Sequence, residues 1–118
     1  MKKYLNGIVS FVLLTMTISS HAGSSGWTVA SEVIKIVSVV NGGINVRLSP
    51  ELSGCTSQSG YGPKYASVYP NHPALNAMQA NLLAAYMSGK KVSLYLTDDT
   101  CKVGEMVIGG THSGPPGS

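Results

Sequence analysis

Between Gly26 and Val40 the chain reads GWTVASEVIKIVSVV, dense in β-branched apolar residues. Val33, Val37 and Val39 fall on one side of an extended chain and Ile34, Ile36 and Val40 on the other. That pattern predicts a long, curved strand covered on both faces for part of its length. Asn41-Gly42-Gly43 follows, and residues that accept positive φ at little cost predict a hairpin turn. INVRLS then alternates cleanly, with Ile44, Val46 and Leu48 expected inward and Asn45, Arg47 and Ser49 outward. The Gly, Ser and Pro density of Pro50–Lys64 predicts a loop, and YASVY (Tyr65–Tyr69) a short third strand ended by Pro70.

PALNAMQANLLAAYMSG, from Pro73 to Gly89, predicts a helix: Asn71 or His72 can cap it, Pro73 suits its first turn, and Gly89 can stop it in a left-handed cap. Leu75, Met78, Leu82, Ala85 and Tyr86 make one apolar face. The other side carries Ala77, Ala80, Ala84 and Met87, with Asn76, Gln79, Asn81 and Ser88 as its only polar residues. The stretch holds no Asp, Glu, Lys or Arg, whereas a surface helix ordinarily shows a charged face, so its second side is expected to be covered as well. KVSLYLT (Lys91–Thr97) predicts a fourth strand with Val92, Leu94 and Leu96 inward. Asp98 and Asp99 form a tight turn, and CKVGEMVIGG returns as a fifth strand. Residues 111–118 have nothing to bury and are expected to be a disordered tail. The order β-β-β-α-β-β over residues 23–110 is mainly β with one helix and suits a five-stranded OB-fold barrel. An open antiparallel sheet with one helix is the alternative.

The first residues of the 118-residue chain are read as a targeting segment rather than as fold. Lys2 and Lys3 precede an apolar run from Gly7 to Ser19, and Ser20-His21-Ala22 offers the small-x-small pattern of a cleavage site. The run is shorter than the roughly 20 residues needed to span a bilayer, so residues 1–22 are expected to be a signal peptide, with no membrane span and an exported, periplasmic or secreted product. Its removal changes the electrostatics. The formal charge of +3 includes two lysines that leave; six cations then face five anions, a net charge of +1. Only Lys90 and Lys91 are adjacent, and no basic stripe is left for nucleic acid. In an exported chain, Cys55 and Cys101 are expected to form a disulfide. A metal site is the rival, but His72 and His112 complete a poor ligand set, and no cofactor is expected.

Catalytic chemistry finds little to work with. Asp98 and Asp99 are neighbours in a turn and point different ways; no phosphate-cradling glycine loop, nucleophile elbow or metal-ligand cluster is present. A non-enzymatic chain is expected. Trp27, Tyr61, Tyr65, Tyr69, Tyr86 and Tyr95 supply amphipathic rings instead. Tyr65 and Tyr69 share a strand face with Ser67, and Tyr95 lies opposite the inward Leu94 and Leu96. Such rings beside hydroxyls and amides suit stacking on sugar rings or on a polar protein surface, and half-buried packing explains each of them equally well.

Three stretches carry a resemblance to a known family: Trp27-Thr28 at the start of the mature chain, SEVI at Ser31–Ile34, and ALNAMQANLLAAYMSGKKVSLYL at Ala74–Leu96. Over roughly Trp27 to Ile108 the chain resembles the pentameric binding subunits of one-A-five-B bacterial toxins, in the subtilase cytotoxin and typhoid toxin branch. It also resembles small exported proteobacterial proteins of unknown role. The resemblance implies an OB-fold, a homopentamer whose helices line a central pore, a catalytic A-type partner chain, and a glycan pocket on the barrel flank. The family's sialic-acid-binding serine falls on Ser31. A family tyrosine that holds the sugar falls on Leu96, with Tyr95 one position earlier and on the opposite strand face. Cys55 and Cys101 do not match the family's bridges.

The expected ligand-binding set is therefore Ser31, Tyr95, Tyr65 and Ser67, with Ala77, Asn81, Ala84 and Met87 at an oligomer interface. The leading reading is a self-assembling, exported module that recognises a host glycan. A second is a monomeric periplasmic or secreted domain that binds another protein, an enzyme for instance, through the chargeless helix and the tyrosine-rich face. Nucleic-acid binding, common among OB-folds, is opposed by the charge and by export.

Overall fold

A computed structural model of the chain describes residues 25–110. The expected signal peptide and the expected disordered tail lie outside them. The described part is mainly β with one α-helix, arranged as two three-stranded antiparallel sheets. Strands β1 (Gly26–Trp27), β5 (Val92–Leu96) and β6 (Val103–Ile108) form one sheet, in the order β1-β5-β6. Strands β2 (Glu32–Ser38), β3 (Ile44–Ser49) and β4 (Tyr65–Val68) form the other, in the order β2-β3-β4. Isolated bridges join the sheets, antiparallel at Ser31 and Val92 and parallel at Ser67 and Lys102.

The expected long first strand is broken. After Trp27 the backbone pairs at Thr28 and Ser31 with Leu94 and Val92, and beyond Ser31 it joins β3. Thr28 contributes to the break: its hydroxyl accepts the Leu94 N–H at 2.9 Å, taking a donor that a regular ladder would offer to a backbone carbonyl. One stretch of chain thus serves both sheets. A bulge between Val33 and Lys35 then shifts the alternation, so that Val33 is buried, Ile34 and Lys35 are exposed, and Ile36 turns back towards the core.

The turn at Asn41–Gly43 forms as its sequence predicts. The Val39 N–H donates to the Gly43 carbonyl, and the Asn41 side chain accepts the Gly43 N–H at 2.8 Å. In β3, Ile44, Val46 and Leu48 enter the core, but Asn45, expected outward to solvent, is completely buried. The period of two does turn it away from the apolar core, and the loop beyond β3 then folds over that face. Asn45 Nδ2 donates to the Gln58 carbonyl at 2.9 Å, and its Oδ1 accepts from the Ser67 hydroxyl at 2.7 Å and from Gln58 Nε2 at 3.3 Å. Gln58, in a short 3-10 turn (Gln58–Gly60), also donates to the Val68 carbonyl and accepts from Asn41 Nδ2. Every polar group of this buried cluster has a partner, which is the condition for burying one at tolerable cost.

The helix α1 spans Leu75–Ser88. His72 helps to start it, since its Nδ1 accepts the Ala74 N–H at 2.9 Å; Nε2 therefore carries the proton and donates to the Gly104 carbonyl at 2.8 Å. Gly89 ends the helix at φ 75°, returning its N–H to the Ala85 carbonyl. Met78, Leu82 and Ala85 face inward and meet Val33, Val46, Leu48, Val68, Leu94 and Val103 from the two sheets in one core. Cys55 and Cys101 form the expected disulfide, and both are buried. It ties the loop after β3 to the turn that precedes β6 across a separation of 46 positions. On the chain-entropy view such a link stabilises by about 4 kcal/mol.

Candidate functional site

A cleft of about 360 Å³ opens between the first strand segment and the loop that follows β3. Trp27, Thr28 and Ser31 form one wall, and Glu51, Leu52 and Ser53 the other. The first wall is fixed by the second half of the chain. Trp27 pairs with Tyr95 across the β1–β5 ladder, and their rings lie 5.3 Å apart at a tilt of 59°. Thr28 exchanges backbone and side-chain hydrogen bonds with Ser93 and Leu94. Ser31 is held by a reciprocal pair of 2.8 Å backbone bonds to Val92.

The second wall is fixed by charge. Arg47 on β3 pairs with the Glu51 carboxylate, and Lys64 Nζ lies 3.2 Å from its other oxygen. These hydrogen bonds, Arg47 first and Lys64 second, hold the Glu51 carboxyl below its ordinary range, and the bond to Glu51 raises the Arg47 guanidinium above its own. At the far end of the chain's last hairpin, the Thr100 hydroxyl and N–H both donate to Asp98 Oδ1, which lowers the Asp98 carboxyl in the same way.

The four residues expected to bind a ligand do not converge. Ser31 lines the cleft, but it is only 1% exposed and its hydroxyl donates to the Val29 carbonyl at 2.8 Å, so only its lone pairs are left for a ligand. Tyr95 stands behind Trp27, half-exposed, and buttresses it. Tyr65 and Ser67 are buried on the outer face of β4, beneath the same loop that covers Asn45; Tyr65 meets Tyr61 edge-on at 5.9 Å. The alternation places them on that face correctly, but it carries no information about a loop folding over it.

Trp27, Glu51 and Ser53 have greater access to the cleft than that set. Trp27 is legible as an amphipathic ring beside a strand. Glu51 and Ser53 lie in an aperiodic loop, where no pattern marks which side chains face a cleft.

On α1, Ala77, Asn81, Ala84 and Met87 are all exposed, Met87 at 75%. Leu83 and Tyr86, also exposed, border a shallow groove with Ile34 of β2. This side of the helix is uncharged, as its sequence predicts, with Ala77, Ala84 and Met87 beside the polar Asn76, Gln79 and Asn81, and within one chain it is uncovered. Among the described residues, no three His, Cys, Asp or Glu side chains come together in a way that could hold a metal ion, and no helix is long and apolar enough to cross a membrane.

Set against known protein-family models, curated proteins and solved structures, the chain finds no match.

Proposed function

We propose that the protein is an exported, non-enzymatic binding module that self-assembles and recognises a glycan in the cleft beside Trp27, in the manner of a toxin binding subunit. The observation that carries this reading is the composition of the cleft. It combines an indole braced on a second aromatic ring with the hydroxyls of Thr28, Ser31 and Ser53 and the carboxylate of Glu51. An apolar plane bordered by a few fixed polar groups is what a sugar presents in mirror image, with its C–H face against the ring and its hydroxyls at the edge.

The finer architecture belongs to the same proposal. The broken first strand, β1 with β2, acts as strand one of an OB-type barrel, and β3, β4, β5 and β6 follow as strands two to five, with α1 between the third and fourth. The bridges at Ser31 and Ser67 are the places where the two sheets approach closure. The uncharged outer face of α1 supports self-assembly, and several identical clefts on one assembly would multiply a weak sugar affinity.

A glycan panel tests the reading. Binding should be detected with the purified protein and be reduced at least tenfold in Trp27→Ala, whose fold is checked by its melting temperature. Failure to bind any glycan would overturn it. The groove that Ile34, Leu83 and Tyr86 border favours a second reading, a monomeric domain that binds another protein through α1. Mass by light scattering separates the two, since a monomer at micromolar concentration opposes self-assembly.

A further inference from the structure

We propose that the groove between β2 and α1 is a second binding surface, which takes an extended, acidic segment of a partner protein by strand addition. The inference deepens the protein-binding reading of that groove and is independent of the glycan reading, since groove and cleft share no lining residue. The groove has a volume of about 370 Å³. Residues of β2 between Ile34 and Ser38 form one wall, and Leu83 and Tyr86 of α1 the other.

The edge of β2 supplies backbone. Within its sheet β2 pairs with β3 alone. The ladder starts at the turn, where the Val39 N–H donates to the Gly43 carbonyl. Bonded positions alternate from there, so Val37 and Lys35 exchange hydrogen bonds with Asn45 and Arg47, and the N–H and C=O groups of Ile36 and Ser38 point away from β3. Among the described residues, none bonds to those outward groups. A row of open donors and acceptors on a strand edge matches the backbone of another extended chain. The helix supplies apolar surface. Leu83 and Tyr86 are about half exposed, and with Gln79 they fall at i, i+4 and i+7 on one side of α1. The run from Gln79 to Tyr86 covers about 10 Å at the helical rise, and that from Ile34 to Ser38 about 13 Å at the strand rise. Both walls therefore serve the same short extended segment.

Charge selects the occupant. Lys35 is the one charged residue among those that line the groove, and among the described residues it makes no ion pair. Ile36 turns towards the core, so Lys35, one position earlier, turns to the opposite face. A strand laid on this edge repeats the alternation, with apolar side chains towards α1 and acidic ones beside Lys35.

The test uses two short peptides, one alternating valine with glutamate and one alternating valine with lysine, titrated into isotope-labelled protein and followed by amide NMR. The glutamate peptide should bind about tenfold more tightly, and the amides of Ile36 and Ser38 should shift more than those of Trp27 and Thr28. Methylation of the peptide's backbone nitrogens should weaken binding about tenfold, a loss that docking through side chains alone does not produce. Lys35→Glu should reverse the preference between the two peptides, and Leu83→Glu should abolish binding. Both positions are exposed, and an unchanged melting temperature checks that each variant is folded. Absence of peptide binding, unshifted Ile36 and Ser38 amides, indifference to backbone methylation, or an unchanged preference in Lys35→Glu overturns the inference. A wild-type oligomer that Leu83→Glu reduces to a monomer, by light scattering, places a second copy in the groove and overturns it too. Each of these outcomes leaves the glycan reading standing, because Trp27→Ala tests that reading at the other site.

Discussion

Gly43 sits where three segments converge. A Cβ placed on it would lie 2.3 Å from Gln58 Oε1 and 2.7 Å from the Val68 carbonyl oxygen, the second of which belongs to the backbone and cannot swing aside. Gly43→Ala should therefore displace Gln58 and open the buried Asn45–Gln58–Ser67 network, lowering stability by about 1–3 kcal/mol in denaturant unfolding. A loss well under 1 kcal/mol would mean that the network is not held as described. Charge at Glu51 and Asp98 has a different signature. Both carboxyls are lowered in the folded chain, so each contributes stability above the ordinary carboxyl range that is lost as pH falls through its lowered value. Melting temperature should thus decline on acidification below about pH 4, and the decline should be shallower in Glu51→Gln with Asp98→Asn. Both groups are exposed, so the effect is small and should weaken with added salt.

At the scale of single elements, α1 has two uncharged sides with opposite roles. Leu82 is fully buried against both sheets, and Leu82→Ala should cost about 2–5 kcal/mol of stability. Met87 is 75% exposed on the other side. Met87→Lys should leave the melting temperature of the monomer nearly unchanged while reducing the mass of any assembly measured by light scattering. If both substitutions destabilise alike, the outer face is not a separate surface. The existence and the end of this helix are legible in its sequence, because Leu75, Met78, Leu82 and Ala85 carry the period and Gly89 marks the stop, whereas Tyr86, expected on the inward face, is exposed and the helix starts at Leu75 rather than at Pro73. The hairpin at Asn41–Gly43 was legible for the same reason, that its chemistry is local. Asn45, Tyr65 and Ser67 were not. Their alternation says which face of the sheet they occupy, while their burial depends on Gln58 and its loop, whose path is set by contacts far away in sequence. The break in the first strand is not legible for a related reason, since Thr28 looks like any other strand residue until Leu94 donates to it.

Across the whole molecule, two small sheets, one helix and one disulfide share a single core. Neither sheet exceeds three strands, and a unit of that size gains much of its stability from links between its parts. Reduction of Cys55–Cys101 should consequently lower stability by about 4 kcal/mol, seen as a fall in the denaturant midpoint under thiol, with Cys55→Ala and Cys101→Ala together giving the same shift. An unchanged midpoint would show that the sheets are held by the core alone.

The pairing of β1 with β5 also sets an order of events. Thr28 and Leu94, joined by a hydrogen bond, are 66 positions apart, so a wall of the cleft built from the earliest part of the fold is completed by a strand near its end. Contacts of such long range carry a large loop-closure cost and tend to form after local ones. The hairpin of β2 and β3 and the helix can form while the chain is still incomplete; the cleft cannot. Trp27 is the only tryptophan in the chain, and its indole meets the Tyr95 ring at a tilt at that junction, so its fluorescence is a built-in reporter of assembly. In refolding it should change later than the far-ultraviolet signal of the helix, and a chain that stops short of Val92 should lack the cleft.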